Sequence, residues 1–209
     1  EMKIAQIAPL SESVPPRAYG GTERIASYLT EALVALGHDV TLFASGQSIT
    51  AGCLVNCCAE PLRWQKTVRD IIPYYMIMLD KVRRRAHQFD ILHFHIDQFH
   101  FPLFRDIAGK TVTTLHGRQD LSDLSVLYRA FPEMPLVSIS HAQRRPIPEA
   151  NYVATIHHGL SRSLRPTFAP TGGWLGAVTL IVMVPGKLRA VPSSACTICR
   201  AWRGRAWLL

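Results

Sequence analysis

Apolar positions along this chain recur with two alternating periods, and the alternation predicts its elements. Lys3 to Ala8 ("KIAQIA") is a short, mostly apolar run of the length of a buried strand. A loop follows from Pro9 to Tyr19, where Pro15-Pro16 excludes helix. Then Ile25, Tyr28, Leu29, Leu33 and Leu36 recur at three- and four-residue spacing, one face of a helix. Thr22 or Gly21 is its expected cap, Glu23 lies in its first turn and Gly37 stops it. "HDVTLFA" (38–44) reads as the next strand, which completes a βαβ unit. Further strands are expected at "DILHFH" (90–95), "TVTTLH" (111–116), "PLVSIS" (135–140) and "NYVATI" (151–156). Residues 61–88 read as mostly helical with an interruption near Pro73, and residues 120–130 as a helix. About six strands alternating with helices predict an α/β fold: a doubly wound parallel sheet of at least five strands over residues 3–157, with helices on both faces.

Past Pro166 this patterning stops. The stretch from Phe168 onward holds three of the four tryptophans and no Asp, Glu, Asn, Gln or His. Its one strand-like run is Ala177 to Val184, and no amphipathic period follows it. The expected division is therefore an α/β domain over residues 2–167 and an atypical tail over 168–209. The tail has too few residues for a second α/β domain. Its apolar run, 174–185, is expected to pack on its own domain or across a homodimer, because leaving it in water would cost about 25 cal/mol per Å².

Composition agrees with a packed core: 48% of the 209 residues are hydrophobic and 18% charged. The net charge of +8 is uneven. All fifteen acidic residues lie at or before Glu149, and residues 1–167 carry 18 basic groups against those 15. A net of +3 there gives no case for nucleic acid. The opening residues lack the layout of a signal peptide, and the longest apolar run is shorter than the roughly 20 residues of a membrane span. The five cysteines are an odd number, which suits free thiols, so the expected location is cytoplasmic. Cys196 and Cys199 have redox or zinc spacing, but no second pair completes a zinc site.

In an open parallel sheet ligands bind beyond the carboxyl ends of the strands. Gly20 and Gly21 fall there, at the mouth of the first helix, where bare backbone N–H groups and the helix dipole favour a phosphate. The fingerprint G-x-G-x-x-G is absent, which weakens a dinucleotide reading. His93, His95 and His100, with Asp97 among them, crowd the end of a strand. His93 and His95 share a face and could grip a metal, although no clear carboxylate follows on a later strand; histidines lining a polar cleft or satisfied in the core are the alternative. His116 ends a strand where it could donate to a sugar hydroxyl or a phosphate, and Ser138, Ser140 and His141 end the next. No G-x-S-x-G elbow points to a serine hydrolase. Arg83-Arg84-Arg85 suits a helix C-terminus, with an anionic membrane surface as the lesser alternative.

Taken together, "MKIAQIAPL", "YGGTERIASYLTEALVALGHDVTLFAS", "DILHFHIDQF", "TVTTLHG", "VSISHAQRR" and "TIHHGL" resemble the family-4 retaining glycosyltransferases of the GT-B fold over residues 2–167. The resemblance implies a Rossmann-like, acceptor-side domain facing a second, donor-binding domain across a cleft. It implies transfer of a sugar, with retention, from a nucleoside-diphosphate sugar to a sugar, lipid or small-molecule acceptor. It implies no metal and no cofactor. Gly20 and Gly21 would approach the donor diphosphate and His116 the donor sugar, with Glu23, His95, Asp97 and Ser140 on the substrate side. His158-Gly159-Leu160 would mark the crossing into the donor domain. Beyond it the glycine-arginine turn and the E-x7-E motif of the family are missing, and the loss of acidic residues resembles translation out of frame from near Gly172 or Gly173. Two other readings stand beside this one: a non-catalytic sugar- or nucleotide-binding remnant that self-associates, and a metal-dependent hydrolase built on His93 and His95.

Overall fold

The computed structural model describes residues 1–159 and two short strands, Ile181–Val182 and Arg189–Ala190. Seven strands form one sheet: β1 Lys3–Ile7, β2 Asp39–Ser45, β3 Cys53–Cys58, β4 Ile91–Phe94, β5 Thr111–Thr114, β6 Leu136–Ser138 and β7 Tyr152–Thr155. Their order is β3-β2-β1-β4-β5-β6-β7, and every pairing is parallel. The order reverses between β1 and β4, the switch point at which such sheets open a crevice. The α-helices are α1 Gly21–Ala35, α2 Ile72–Arg85, α3 Phe101–Phe104, α4 Leu124–Ala130 and α5 His141–Arg144. The expected α/β Rossmann-like architecture is present.

Period-two alternation divides the core. On one face Leu29 and Leu33 of α1 pack over Ile4, Val40, Ile91, Val112 and Val137. On the other, Tyr75, Met78, Leu79 and Val82 of α2 close over Phe43, Leu92 and Phe94, joined by Phe101 and Phe104. Both faces are apolar, so the strands read as near-continuous hydrophobic runs.

Three local expectations need correction. Strand β3, "CLVNCC", was not expected; it lies at the edge of the sheet beside β2 only, and its cysteines behave there as small strand residues. Residues 61–88 do not form an interrupted helix. Leu62–Trp64 is a 3₁₀ turn, and α2 begins at Ile72 with Pro73 in its first turn, where a missing N–H removes no helical bond. The cap of α1 is Gly20, without any side-chain bond, instead of Thr22 or Gly21.

The stop of α1 is the expected one. Gly37 sits at φ 83°, its N–H bonds Val34 O at 2.9 Å, and the N–H of His38 reaches Leu33 O at 3.1 Å. These two bonds form a Schellman cap, which needs a left-handed residue at that position. Gly37→Ala is expected to lower stability by about 1 kcal/mol, seen as a lower urea midpoint with an unchanged slope.

The expectations for the tail lie outside the described residues, except that Ile181–Val182, within the run read as a strand, pairs antiparallel with Arg189–Ala190. Among the described residues no helix is long and apolar enough to cross a membrane.

Candidate functional site

The α1 face of the sheet changes character along its strands. Near their starts it carries Ile4, Ile91 and Val112; two residues further it carries Gln6, His93 and Thr114, and then His95 and His116. All of these polar groups except His116 are buried. They are bonded in a line. His93 Nε2 lies 2.8 Å from Thr114 Oγ1, Gln6 Nε2 lies 3.5 Å from His93 Nδ1, and His95 Nε2 lies 2.9 Å from Gln6 Oε1. His95 Nδ1 and His116 Nε2 then share a hydrogen bond of 2.9 Å. Burial pushes the His93 and His116 imidazoles down to about 3 and lowers His95 well below its ordinary value, so the row is neutral near pH 7.

His116 stands where this row meets solvent, and it borders two cavities. The larger, about 610 Å³, is lined by Gly20, Gly21, Thr22, Glu23, Arg63 and His158 among others. The smaller, about 440 Å³, is lined by Gly117, Arg118, Ser140 and Gln143 among others. The His116 and His158 ring centroids are 5.0 Å apart.

The glycines at the mouth of α1 have different reasons to be glycine. A Cβ on Gly20 would stand 2.7 Å from Pro16 Cβ and 3.0 Å from the Glu23 carboxylate, so the position is a close approach. A Cβ on Gly21 would meet nothing within 4 Å, because it would project into open space at the cleft. The N–H groups of Gly21 and Thr22 have no partner among the described residues, as expected in the first turn of a helix without a side-chain cap.

The wall beside them is charged. Glu12 is fully buried and accepts from Arg63 Nη1 at 2.8 Å and from Trp64 Nε1 at 3.0 Å. Arg63 Nη1 also donates to Tyr19 O at 2.8 Å, which ties the Pro-rich loop to the start of the cleft. Burial raises the Glu23 carboxyl above its ordinary value, against the N–H groups of Glu23 and Glu12 and the Arg63 charge, which hold it down.

Of the residues chosen from the sequence, Gly20, Gly21, Glu23 and His116 come together at the larger cavity, and Ser140 and His116 at the smaller. His95 and Asp97 border neither cavity; both act on His116 from behind. Asp97 takes a left-handed φ of 48°, which Asp tolerates, and its Oδ1 accepts the His116 N–H at 3.1 Å. Ser140 Oγ accepts the Gln143 N–H at 3.1 Å, capping α5. His93 and His95 share a face, with ring centroids 4.3 Å apart, but their nitrogens are bonded to Gln6, Thr114 and His116. Among the described residues no three His, Cys, Asp or Glu side chains are grouped to hold a metal. His100 turns to the opposite face and stacks on Phe94 at 3.6 Å. Arg63, Glu12, Tyr19 and Gln6 were not picked out from the sequence: the first three lie in or after an irregular loop, and Gln6 is one polar residue in an apolar strand.

Residues 19–181 match the model of Glycosyltransferase Family 4. The chain belongs to this family. Among solved structures, this family-4 chain is similar to AviGT4, a glycosyltransferase involved in avilamycin A biosynthesis, with 17% identity over 75% of this chain and 41% of that one, at a TM-score of 0.46. It is also similar to sucrose-phosphate synthase from Thermosynechococcus elongatus, with 15% identity over 77% of this chain and 49% of that one, at a TM-score of 0.53. The second likeness supports the fold. The chain spans less than half the length of either structure. No curated protein matches it.

Proposed function

We propose that the described domain is the acceptor-side half of a glycosyltransferase that moves a sugar, with retention, from a nucleoside-diphosphate sugar to an acceptor. The observation that carries this is one cavity bordered both by the uncapped mouth of α1 and by His116. The free N–H groups of Gly21 and Thr22 suit the diphosphate, and the helix dipole adds to them. His116 stands on the sugar side. Glu23 and Arg63 line the acceptor side, while His95 and Asp97 hold His116 in place. In this reading no metal or cofactor takes part; the positive groups that stabilise a leaving nucleoside diphosphate would come from a donor-binding domain. The composition of residues 168–209 supports a change of reading frame near Gly172 or Gly173. Sequencing the coding DNA across codons 168–176 tests that part: an alternate frame encoding Asp- and Glu-containing sequence supports it.

The glycine pair tests the site itself. Gly21→Val puts a side chain into the cavity without touching the protein, so nucleoside-diphosphate binding, measured by calorimetry, is expected to vanish with the melting temperature nearly unchanged. Gly20→Val should lower stability by about 1–3 kcal/mol through its clash with Pro16. Equal ligand binding by wild type and Gly21→Val would argue against a phosphate at this mouth.

A further inference from the structure

The cavity-facing nitrogen of His116 has its chemistry decided two residues away. Gln6 is fully buried on β1, between His93 of the adjacent β4 and His95, the residue that follows that strand. Its carbonyl oxygen, 2.9 Å from His95 Nε2, can only accept, so His95 carries its proton on Nε2. A neutral His95 then offers a lone pair at Nδ1, and the 2.9 Å contact to His116 Nε2 requires His116 to donate from that nitrogen. His116 is neutral as well, because burial beside other imidazoles disfavours its charged form. Its Nδ1 is therefore unprotonated. Among the described residues no hydrogen bond to that atom is found, and His116 borders both cavities.

Resting on the glycosyltransferase reading of the cavity, we infer that Gln6, through His95, fixes His116 in its Nε2–H tautomer, so that Nδ1 accepts a hydrogen bond from a ligand hydroxyl and turns away phosphate oxygens. The direction of the row depends on one amide. Rotating the Gln6 amide by half a turn would reverse each bond from Thr114 to His116 and make Nδ1 a donor, which is suited to a phosphate. The orientation with oxygen toward His95 therefore works as a specificity element: it selects a sugar hydroxyl at this position and leaves the diphosphate to the α1 mouth. Gln6 and His95 touch no substrate in this scheme; they are positioning residues.

Histidine tautomers are read directly by long-range proton–nitrogen NMR of the ¹⁵N-labelled 209-residue chain near pH 7. The wild type is expected to show one His116 tautomer, with a protonated Nε2 and an unprotonated Nδ1. Gln6→Met, apolar and of nearly the same length, should lose the single-tautomer signature and give a mixture. Should that variant not fold, His95→Phe removes the acceptor for His116 Nε2 and is expected to give the same mixture. Inorganic phosphate added to the wild type should leave the His116 Nδ1 resonance in place. A protonated Nδ1 in the wild type, an unchanged single tautomer in a folded variant, or a phosphate-dependent shift of Nδ1 would each overturn the inference. Because the tautomer is read without sugar transfer, a catalytically silent chain leaves this test intact, and its failure is distinct from failure of the glycosyltransferase reading.

Discussion

Acidifying the protein from pH 7 to about pH 5 is expected to remove most of its stability, well before its carboxylates are fully protonated. His93, His100 and His116 are each held at about 3 by burial, and His95 lies well below its ordinary value. In the unfolded chain each returns to roughly 6.5. Above that value both states are neutral and nothing is lost. As the pH falls below it, the unfolded state takes up protons that the folded state refuses, and stability drops until the folded values near 3 are reached. Each such histidine costs about 2 kcal/mol at pH 5. The contributions of a bonded row do not add strictly, but three or four of them come to about 6–8 kcal/mol, comparable with the lower half of an ordinary domain's stability, about 5–15 kcal/mol. Glu23 and Asp97 are shifted upward by burial and act in the opposite sense, so they return part of the loss at the acid end of the range. Thermal melts followed by circular dichroism check this. A melting temperature unchanged between pH 7 and 5 would mean that the histidine row is hydrated and already titrates normally.

The second large effect concerns catalysis by the 209-residue chain alone: it is expected to give no multiple turnover of a nucleotide sugar. A rate enhancement of even ~10⁶ needs about 8 kcal/mol of transition-state stabilisation. Among the described residues the cavity supplies two free N–H groups at the α1 mouth and two arginines, Arg63, already paired with Glu12, and Arg24, which donates to Ala18 O. At a site open to water each hydrogen bond nets roughly 1 kcal/mol. Nor can a cavity walled on one side exclude water from the reacting bond. Weak binding of a nucleoside diphosphate or an acceptor is compatible with this arrangement, while turnover is not. Multiple turnover by the purified chain, abolished by both Gly21→Val and His116→Ala, would show that residues beyond 159 complete a donor site.

How much of this was legible in the sequence depended on whether the signal was local. Strands β1, β2, β4, β5, β6 and β7 were marked by apolar runs of strand length, and α1 by its 3.6-residue period and Gly37. Strand β3 escaped because its apolar signal is weak: in "CLVNCC" half of the residues are cysteine and an asparagine interrupts the run. Pro73 was taken as a breaker, although a proline in the first turn starts a helix as readily as it interrupts one. Within the site, Gly20, Gly21 and His116 could be placed because the ends of parallel strands gather at one edge. Arg63 could not, since its position at the cavity follows from a buried partner, Glu12, some fifty residues earlier in the chain.

By itself, then, the sequence determined the alternation of strand and helix, the edge of the sheet at which Gly20, Gly21 and His116 gather, and the family, because each of these rests on local period, chain direction or contiguous motif. Only the tertiary structure decided what the residues at that edge can do. Burial makes four histidines neutral, and the cross-strand register of β1, β4 and β5 lines up Gln6, His93, Thr114, His95 and His116 into one bonded row. Neither desolvation nor register is a property of a residue and its sequence neighbours. Both arise when segments almost ninety residues apart, Gln6 and His95 among them, are brought side by side.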